Sequence, residues 1–242
     1  AKVRDGRPIK LEGNDLSPVT GGGTSARVQA AVLDLYDTAR LRYPTIDGKE
    51  VTFEAADKSI ASALTGLKGS VVILTSTITS PTTKETIAQF LAKYPGSKHV
   101  TYDAISYSGM LLANELTYGK KAIPSYHFNN AKAIVSIGAD FLGTWLSPIE
   151  FAKQYATGKK INEQNPEMSK HIHFESVASL TGANADEKYL HRPSETAAIA
   201  AALLSAVNGA AINGISDAKL KMGIEKAAKE LKENKGAALV VC

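Results

Sequence analysis

The chain has 242 residues, 44% of them hydrophobic and 21% charged, and 28 Lys and Arg against 24 Asp and Glu give a formal net charge of +4. This composition is that of a globular protein and excludes a disordered, collagen-like or coiled-coil chain. The longest apolar run, Ala197–Val207, is too short to cross a bilayer, which takes about 20 residues. The only basic pairs, Lys120–Lys121 and Lys159–Lys160, are interpreted as solvated surface lysines, so nucleic acid is not an expected partner.

Cys242 is the sole cysteine and the last residue. A single thiol excludes an intrachain disulfide, and it excludes a cysteine-bound iron–sulfur cluster or zinc site within this segment. The final run, Ala237–Cys242, has the pattern of a buried strand. We therefore expect the chain to be part of a longer protein.

The first fifty residues form a small extended segment in our prediction. The turn signal Asp5–Pro8 lies between Lys2–Arg4 and Ile9–Glu12 and indicates a hairpin. Thr24 or Ser25 can cap a helix that runs to about Tyr36.

From residue 51 to 242 the pattern alternates between strands and helices. Helices are predicted to begin near Thr52, Ser80, Tyr107, Ser147, Ser194 and Ser216. Buried strands are predicted at Val71–Leu74, Val100–Tyr102, Ala133–Ile137, His171–Glu175 and Ala238–Val241. Short apolar strands separated by helices predict an α/β domain: one mainly parallel, doubly wound sheet with helices on both faces.

In such sheets the ligand crevice lies beyond the carboxyl ends of the strands. Gly138 and Asp140 follow the third predicted strand, and Glu175 and Ser176 end the fourth. Gly138 would let a nucleotide approach the backbone closely; alternatively it makes a turn and Asp140 caps the next segment.

Two further features are predicted for the fourth strand and the segment that follows it. We expect His171 and His173 to point to opposite faces of the fourth strand, one buried and one exposed. Arg192 and Ser194 lie just before a predicted helix, whose amides and dipole attract anions, so they form a candidate anion site; the alternative is an ordinary serine cap beside a surface arginine.

Several motifs resemble molybdopterin oxidoreductases along essentially the whole chain. Leu35–Tyr36, Arg40 and Pro44 resemble a signature near the start of that family. Asn129–Asp140 resembles the strand that approaches the pterin nucleotide, and Arg192–Ala197 resembles a loop beside it. The resemblance implies a crevice for molybdopterin guanine dinucleotide, at a set of residues in this chain: Gly138, Asp140, Glu175, Ser176, Arg192 and Ser194.

The runs Ala139–Tyr155, Ser179–Asp186 and His191–Ser194 are similar to one branch, the iron–sulfur-binding subunit of alternative complex III. That branch implies a quinol oxidoreductase complex peripheral to the periplasmic side of a bacterial membrane, without direct membrane insertion by this chain. The implied partners are other subunits of the complex and an iron–sulfur region of the same parent chain.

The sequence also departs from the catalytic members that it resembles. Gly21–Arg27 stands where they carry cluster-binding cysteines, and Ala104–Ser108 stands where they supply a ligand to molybdenum. Ser106 or Ser108 could ligate the metal, or each could cap a helix. The resemblance therefore implies a cofactor-free scaffold, with iron–sulfur clusters only in the remainder of the parent protein; the alternative is an active domain that holds molybdopterin guanine dinucleotide.

Overall fold

The computed structural model describes residues 1–163 and 166–242. Its strands, in chain order, are β1 (Lys2–Arg4), β2 (Arg7–Lys10), β3 (Thr45–Ile46), β4 (Lys49–Glu50), β5 (Val72–Thr75), β6 (Lys98–Thr101), β7 (Ala133–Ile137), β8 (Lys170–Glu175), β9 (Glu187–Leu190) and β10 (Ala238–Val241). Its α-helices are α1 (Ala26–Ala30), α2 (Phe53–Thr65), α3 (Pro81–Ala92), α4 (Ser108–Tyr118), α5 (Pro148–Lys159), α6 (Leu180–Asn184), α7 (Thr196–Val207) and α8 (Ala218–Glu233). Short 3-10 helices lie at Ala31–Leu35, Phe128–Asn130 and Pro193–Glu195.

The chain divides into two compact units. The first combines Ala1–Asp37 with Ser125–Cys242, and the second is Thr38–Pro124. The division into 1–50 and 51–242 that the sequence suggests stays a prediction.

The N-terminal hairpin forms as predicted, with β1 and β2 antiparallel. Asp5 and Gly6 at its tip have φ of 49° and 75°. Two successive residues with positive φ give the turn whose twist matches that of a two-stranded ribbon. Ser25 caps α1 by accepting a hydrogen bond from the Val28 amide at 3.2 Å, although α1 is shorter than predicted and continues as a 3-10 helix.

In the second unit, the three predicted helix starts, near Thr52, Ser80 and Tyr107, are confirmed. Thr52 and Ser80 each accept a hydrogen bond from an amide in the first turn of α2 and α3. The strands β5 and β6 pair in parallel with each other in a separate two-stranded sheet, so the prediction of one sheet that includes them was wrong. Their apolar run is not buried either, since Val72 and Leu74 are 53% and 67% exposed.

The main sheet lies in the first unit and has the order β10-β7-β8-β9, with every neighbouring pair parallel. This confirms the α/β fold class. The edge strand β9 was not predicted, because its sequence Glu-Lys-Tyr-Leu has two charged residues and no apolar run. The chain proceeds from β7 to β9 in one direction and returns to place β10 on the other side of β7.

Helices cover both faces of this sheet, and alternation along the strands decides which side chain meets which helix. Val135, Ile137, Ile172 and Phe174 pack against α7 and α8 in one core. On the opposite face, Ile134 belongs to a second core with a larger set of aromatic side chains: Phe128, Phe141, Phe151 and Tyr155. The second core packs α5 and the 3-10 helix Phe128–Asn130 against this face of the sheet.

Three details near the helix ends differ from the sequence predictions. Asp217, not Ser216, caps α8, and it accepts from the amides of Lys219 and Leu220. Ser194 lies inside the 3-10 turn that precedes α7 and does not cap that helix. Lys159 is not a solvated surface lysine, because its ammonium contacts Asp186 at 2.6 Å with only 18% of its side chain exposed.

Over residues 1–163 and 166–242, none of the helices combines the length and the apolar character needed to cross a membrane.

Substitution of Ile134 by Asp tests the position of β7 at the centre of the sheet. The Ile134 side chain is 1% exposed, so the variant would bury a carboxylate at a cost of several kcal/mol. Typical domains are stable by only about 5–15 kcal/mol. We expect Ile134→Asp to show no cooperative thermal transition by circular dichroism. Lys132→Asp, at an exposed position next to the same strand, should have a Tm within a few degrees of that of the unsubstituted protein.

Candidate functional site

The candidate site lies where β7, β8 and β9 end. Strand alternation places Ser136 of β7 and a set of β8 side chains on the face that carries α5: His171, His173 and Glu175. All four are at most 2% exposed. The interior beside the predicted crevice is therefore polar on this face, whereas the α7–α8 face is apolar.

The Ser136 hydroxyl lies between two imidazoles. Its Oγ is 2.8 Å from His171 Nε2 and 2.6 Å from His173 Nδ1. Tyr155 extends the network, since its hydroxyl is 3.1 Å from His171 Nδ1 and donates to the Asn184 carbonyl at 2.9 Å. The prediction that the two histidines point to opposite faces was wrong, because residues two apart in a strand share a face.

Burial disfavours the charged form of both histidines. Loss of water around the ring is the main cause that lowers the pKa of His171 to about 3; repulsion between a protonated His171 and the positive charges of His173 and Lys159 contributes, and Asp186 opposes the shift. Burial also lowers the pKa of His173, although the Glu175 carboxylate opposes the shift. Both imidazoles contact the Ser136 hydroxyl, and Ser136 has no exposed surface. We therefore interpret the two histidines and Ser136 as a structural network.

Glu175 is a buried carboxylate whose partners all come from this unit. Its Oε2 accepts from the Ser179 hydroxyl at 2.7 Å and from the Ser179 amide at 3.0 Å, and it lies 3.3 Å from His173 Nε2. Lys188 of β9 places its ammonium 3.2 Å from Oε1. Burial raises the pKa of Glu175, but Ser179 and Lys188 lower it by more, so its pKa lies below the usual value.

Gly182 makes this arrangement possible. It is buried in α6, and a Cβ at this position would overlap the Glu175 carboxylate. Ser179 also caps α6 by accepting from the Gly182 amide at 2.9 Å. One serine hydroxyl thus fixes the helix start and the carboxylate together.

Asp140, on the loop after β7, is connected to the same helix. Its Oδ1 accepts from the Thr181 amide at 3.0 Å and from the Thr181 hydroxyl at 2.8 Å. Thr181 in turn accepts from the Leu142 amide at 2.9 Å. Gly138 makes the turn before this loop with φ of 67°, and its amide donates to the Phe174 carbonyl. The structure therefore links the predicted residues Asp140 and Glu175 through α6.

Arg192 and Ser194 follow β9 and are exposed. The Glu195 carboxylate accepts a hydrogen bond from the Arg192 amide at 2.8 Å, so an acidic group already lies at this turn. His191 connects the turn to β8, because its Nδ1 lies 3.2 Å from the Ser176 hydroxyl and 2.8 Å from the Arg192 carbonyl. A cavity of about 420 Å³ beside Arg192 is lined by acidic as well as basic groups, with Glu195 and Asp217 among them.

The candidate molybdenum ligands Ser106 and Ser108 lie in the second unit. Their hydroxyls are 2.8 Å apart, and Ser106 Oγ accepts from the Ser108 amide at 3.2 Å, at the start of α4. Tyr107 is the cap residue of α4 and makes no side-chain capping bond, so the alternative that Ser106 or Ser108 caps the helix was wrong. Among the residues that the structure describes, no group of three His, Cys, Asp or Glu side chains could hold a metal ion.

The sequence prediction named His171 and His173 but placed them on opposite faces, and it did not assign four other residues to the site: Ser136, Ser179, Thr181 and Lys188. The common face of the histidines was predictable, because His171, His173 and Glu175 alternate with apolar residues along one strand. The contacts of Thr181 with Asp140 and Leu142 carried no such signal, since they join residues about 40 positions apart.

No family model matches the chain. It is 26% identical over 208 residues to the menaquinone reductase, molybdopterin-binding-like subunit, of Nitratidesulfovibrio vulgaris, an alignment that covers 84% of this chain and 30% of that protein. The solved structure of acetylene hydratase from Pelobacter acetylenicus shares the fold with a TM-score of 0.51 at 14% identity, over 92% of this chain and 35% of that one.

The first comparison supports the resemblance to molybdopterin oxidoreductases at the level of that family, and the second concerns the fold alone. This chain spans about a third of the length of each relative. The finer resemblance, to the alternative complex III subunit, stays a prediction.

Replacement of Gly182 by Ala tests the fit of the buried carboxylate. The added methyl group would displace Glu175 from Ser179, and overpacking of this kind costs about 1–3 kcal/mol. We expect the free energy of unfolding in urea to fall by that amount. Gly109→Ala in α4 is the control: its Cβ meets no atom within 4 Å, so helix propensity should leave stability unchanged or raise it by up to about 1 kcal/mol.

The buried histidines predict that the free energy of unfolding depends on pH in the acid range. Between pH 6.5 and 3 the unfolded chain binds a proton at His171 that the folded chain does not bind, because the pKa is lowered on folding. The free energy of unfolding should therefore fall with falling pH, by up to about 1.4 kcal/mol per pH unit from this residue. His171→Gln should flatten the slope of a urea-unfolding series between pH 6.5 and 4.5 by about one proton; an unchanged slope would contradict the assignment.

Proposed function

We propose that this chain is the molybdopterin-oxidoreductase-like domain of a membrane-associated respiratory electron-transfer complex of the quinol oxidoreductase type, and that it acts there as a cofactor-free scaffold or docking domain. Its similarity to a molybdopterin-binding-like subunit of a menaquinone reductase supports the family and the setting. The runs Ala139–Tyr155 and Ser179–Asp186 support the alternative complex III branch. By the same resemblance we propose that the domain lies at the periplasmic side of a bacterial membrane.

One observation carries the scaffold proposal: the acidic groups at the strand ends have protein partners already. Asp140 is engaged by Thr181, and Glu175 by Ser179 and Lys188. A nucleotide that bound here would have to replace these contacts with its own N–H and O–H donors. Glu195 lies against the Arg192 amide, where a diphosphate would meet a like charge. These existing contacts favour a scaffold over a pterin-dinucleotide site.

The partners in this proposal are other subunits of the complex and an iron–sulfur region of the same parent protein. A cysteine-bound cluster needs several thiolates, and the sequence supplies Cys242 alone. Electron transfer would then pass through those regions, and this domain would hold them in place.

The alternative is an active domain that binds molybdopterin guanine dinucleotide. It is favoured by the exposed Arg192, by the cavity of about 420 Å³ beside it, and by the open turn at Gly138. In that case Ser106 or Ser108 would be the candidate ligand to molybdenum.

Titration with a guanine nucleotide separates the two functions. For a scaffold we expect a Kd weaker than about 1 mM by isothermal calorimetry, which corresponds to about −4 kcal/mol. Micromolar binding that Arg192→Ala abolishes, and that Arg4→Ala on the distant hairpin leaves intact, would establish the alternative. Molybdenum analysis and pterin fluorescence on the same sample give a second readout, since stoichiometric molybdenum would also overturn the scaffold proposal.

A further inference from the structure

A continuous line of hydrogen-bonding groups crosses the α5 face of the main sheet. Neighbouring polar atoms along it are 2.6–3.3 Å apart, and from Tyr155 to Glu175 every member is buried. The member at the other end, Asn184, is the last residue of α6 and is exposed. We call this set the polar line, and its members are, in order, Asn184, Tyr155, His171, Ser136, His173 and Glu175.

The polar line is one proton short when both of its imidazoles are neutral. Each of its five hydrogen bonds needs one proton between two heavy atoms. Tyr155, Ser136 and the two neutral imidazoles supply one proton each, which makes four, whereas the carbonyl and the carboxylate at the ends only accept. Ser179 adds none, because its hydroxyl donates to Glu175 at 2.7 Å. One hydrogen bond must therefore be missing, and a single added proton completes the set.

The buried carboxylate at the end of the polar line decides which hydrogen bond is missing. A bare Nε2 on His173 would turn a lone pair toward that carboxylate, so His173 keeps its proton at Nε2 and leaves Nδ1 to accept from Ser136. Ser136 in turn accepts from Nε2–H of His171. His171 Nδ1 is then bare, and the Tyr155 hydroxyl donates either to it or to the Asn184 carbonyl.

The charges around His173 decide whether it can hold the added proton. Burial lowers the pKa of this imidazole, but the carboxylates of Glu175 and Asp140 and a hydrogen bond with the Ser136 backbone oppose that shift. Lys188 of β9 faces the other oxygen of the carboxylate, at 3.2 Å from Glu175 Oε1. The side chains of α6 add no charge. A proton on His173 is therefore paired with an acidic group as soon as it binds.

His171 is the poorer site for a positive charge. Burial lowers its pKa to about 3, repulsion from His173 and Lys159 contributes, and Asp186 opposes the shift. The Tyr155 hydroxyl of α5 is a neutral neighbour, since burial raises its pKa. The first proton taken up by the polar line therefore belongs on His173.

We propose that the polar line is a one-proton switch that connects the buried carboxylate of β8 to the end of α6. In the neutral form, both imidazoles carry their proton at Nε2. In the protonated form, His173 is an imidazolium, His171 carries its proton at Nδ1, and the Ser136 hydroxyl points to His171 Nε2. Tyr155 then accepts from His171 and gives its own proton to the Asn184 carbonyl.

This change adds one proton, and no bond between heavy atoms forms or breaks. A solvent proton reaches His171 Nδ1 at the α6 end of the polar line. The Nε2 proton of His171 passes to Ser136, and the Ser136 proton passes to Nδ1 of His173. The two distances at the Ser136 hydroxyl, 2.8 and 2.6 Å, are within the range over which side chains exchange protons.

The switch acts on α6. Ser179 ties the start of this helix to Glu175 in both forms, with hydrogen bonds from its amide and its hydroxyl. Tyr155 ties the last residue fully in the protonated form alone, because in the neutral form its one proton is divided between Asn184 and His171. Proton uptake therefore fastens α6 at both ends.

The inference goes beyond the proposed function and does not depend on it. The nucleotide titration is read at Arg192, whereas the switch is read at the two histidines of β8, so each can fail separately.

The experiment uses the full chain with its histidine side chains labelled at nitrogen. Long-range proton–nitrogen correlation spectra from about pH 8 to about pH 4.5 report which ring nitrogens carry a proton, and His171→Gln and His173→Gln assign the signals. At the upper pH we expect both rings to be Nε2–H tautomers. As the pH falls, His173 should become doubly protonated, while His171 stays neutral and its proton moves from Nε2 to Nδ1.

Two nearly isosteric variants should abolish the change of tautomer in opposite ways. Ser136→Ala disconnects the imidazoles, and His171 should then be the Nδ1–H tautomer at every pH, because that form keeps both hydrogen bonds of Tyr155. Tyr155→Phe removes those two hydrogen bonds and one proton, so the rest of the polar line is complete without an added proton. His171 should stay Nε2–H in this variant, and protonation of His173 should require a pH lower by about 0.5–1.

Tyr189→Phe is the matched control. Tyr189 is buried like Tyr155 and loses its hydroxyl in the same way, but it donates to Glu187 and packs on the α7–α8 face. This variant should keep the change of tautomer and the pH at which His173 is protonated. If Ser136→Ala lowers the Tm below the temperature of the measurement, the comparison of Tyr155→Phe with Tyr189→Phe decides the test.

Several results would overturn the proposal. A His171 that keeps one tautomer over the whole pH range, or that becomes charged before His173, would contradict the switch. So would a His173 that stays neutral down to about pH 4.5. Equal responses of the Tyr155→Phe and Tyr189→Phe variants would show that Tyr155 takes no part in it.

Discussion

The buried carboxylate of Glu175 is the constraint on which the strand ends of the main sheet depend. A carboxylate that is 2% exposed is tolerated only with charged or hydrogen-bonding partners, and these come from α6 and β9. Ser179 must then sit at the start of α6, and Gly182 must lack a side chain. Because Thr181 of the same short helix holds Asp140, the loop after β7 is fixed through the same chain of contacts.

This dependence explains why the two faces of one sheet differ. On the α7–α8 side, the strands present Val135, Ile172 and Phe174 to a purely apolar core, which tolerates repacking. On the α5 side, Ser136, His171 and His173 form a network in which each polar atom depends on the next. A half-satisfied network of this kind is costly, so its members constrain one another more tightly than the apolar core does.

The sequence predicts those parts of the fold that local physics decides. The apolar run of β7, the caps of α2 and α3, and the turn at Asp5–Gly6 depend on residues within a few positions of each other. It does not reveal which strands share a sheet: β5 and the main-sheet strands have similar apolar runs, yet their partners are chosen by contacts distant in sequence. The strand β9 was missed because half of its residues, Glu187 and Lys188, are charged, so it lacks the apolar run by which the other strands were predicted. The residues that pair with these charges lie on β8 and α8 and are not local in sequence.

The same reasoning applies to the site. Asp140 and Glu175 were predicted from their positions at strand ends, but the pairing of Asp140 with Thr181 joins residues 41 positions apart, and Lys188 reaches Glu175 from the neighbouring strand β9, so no local pattern indicates either contact. Once Thr181 and Ser179 engage these acidic groups, the carboxylates of Asp140 and Glu175 hold α6 against the strand ends. The polar interior on this face of the sheet therefore stabilises the fold, because each acidic group there already has a hydrogen-bond donor from the chain itself.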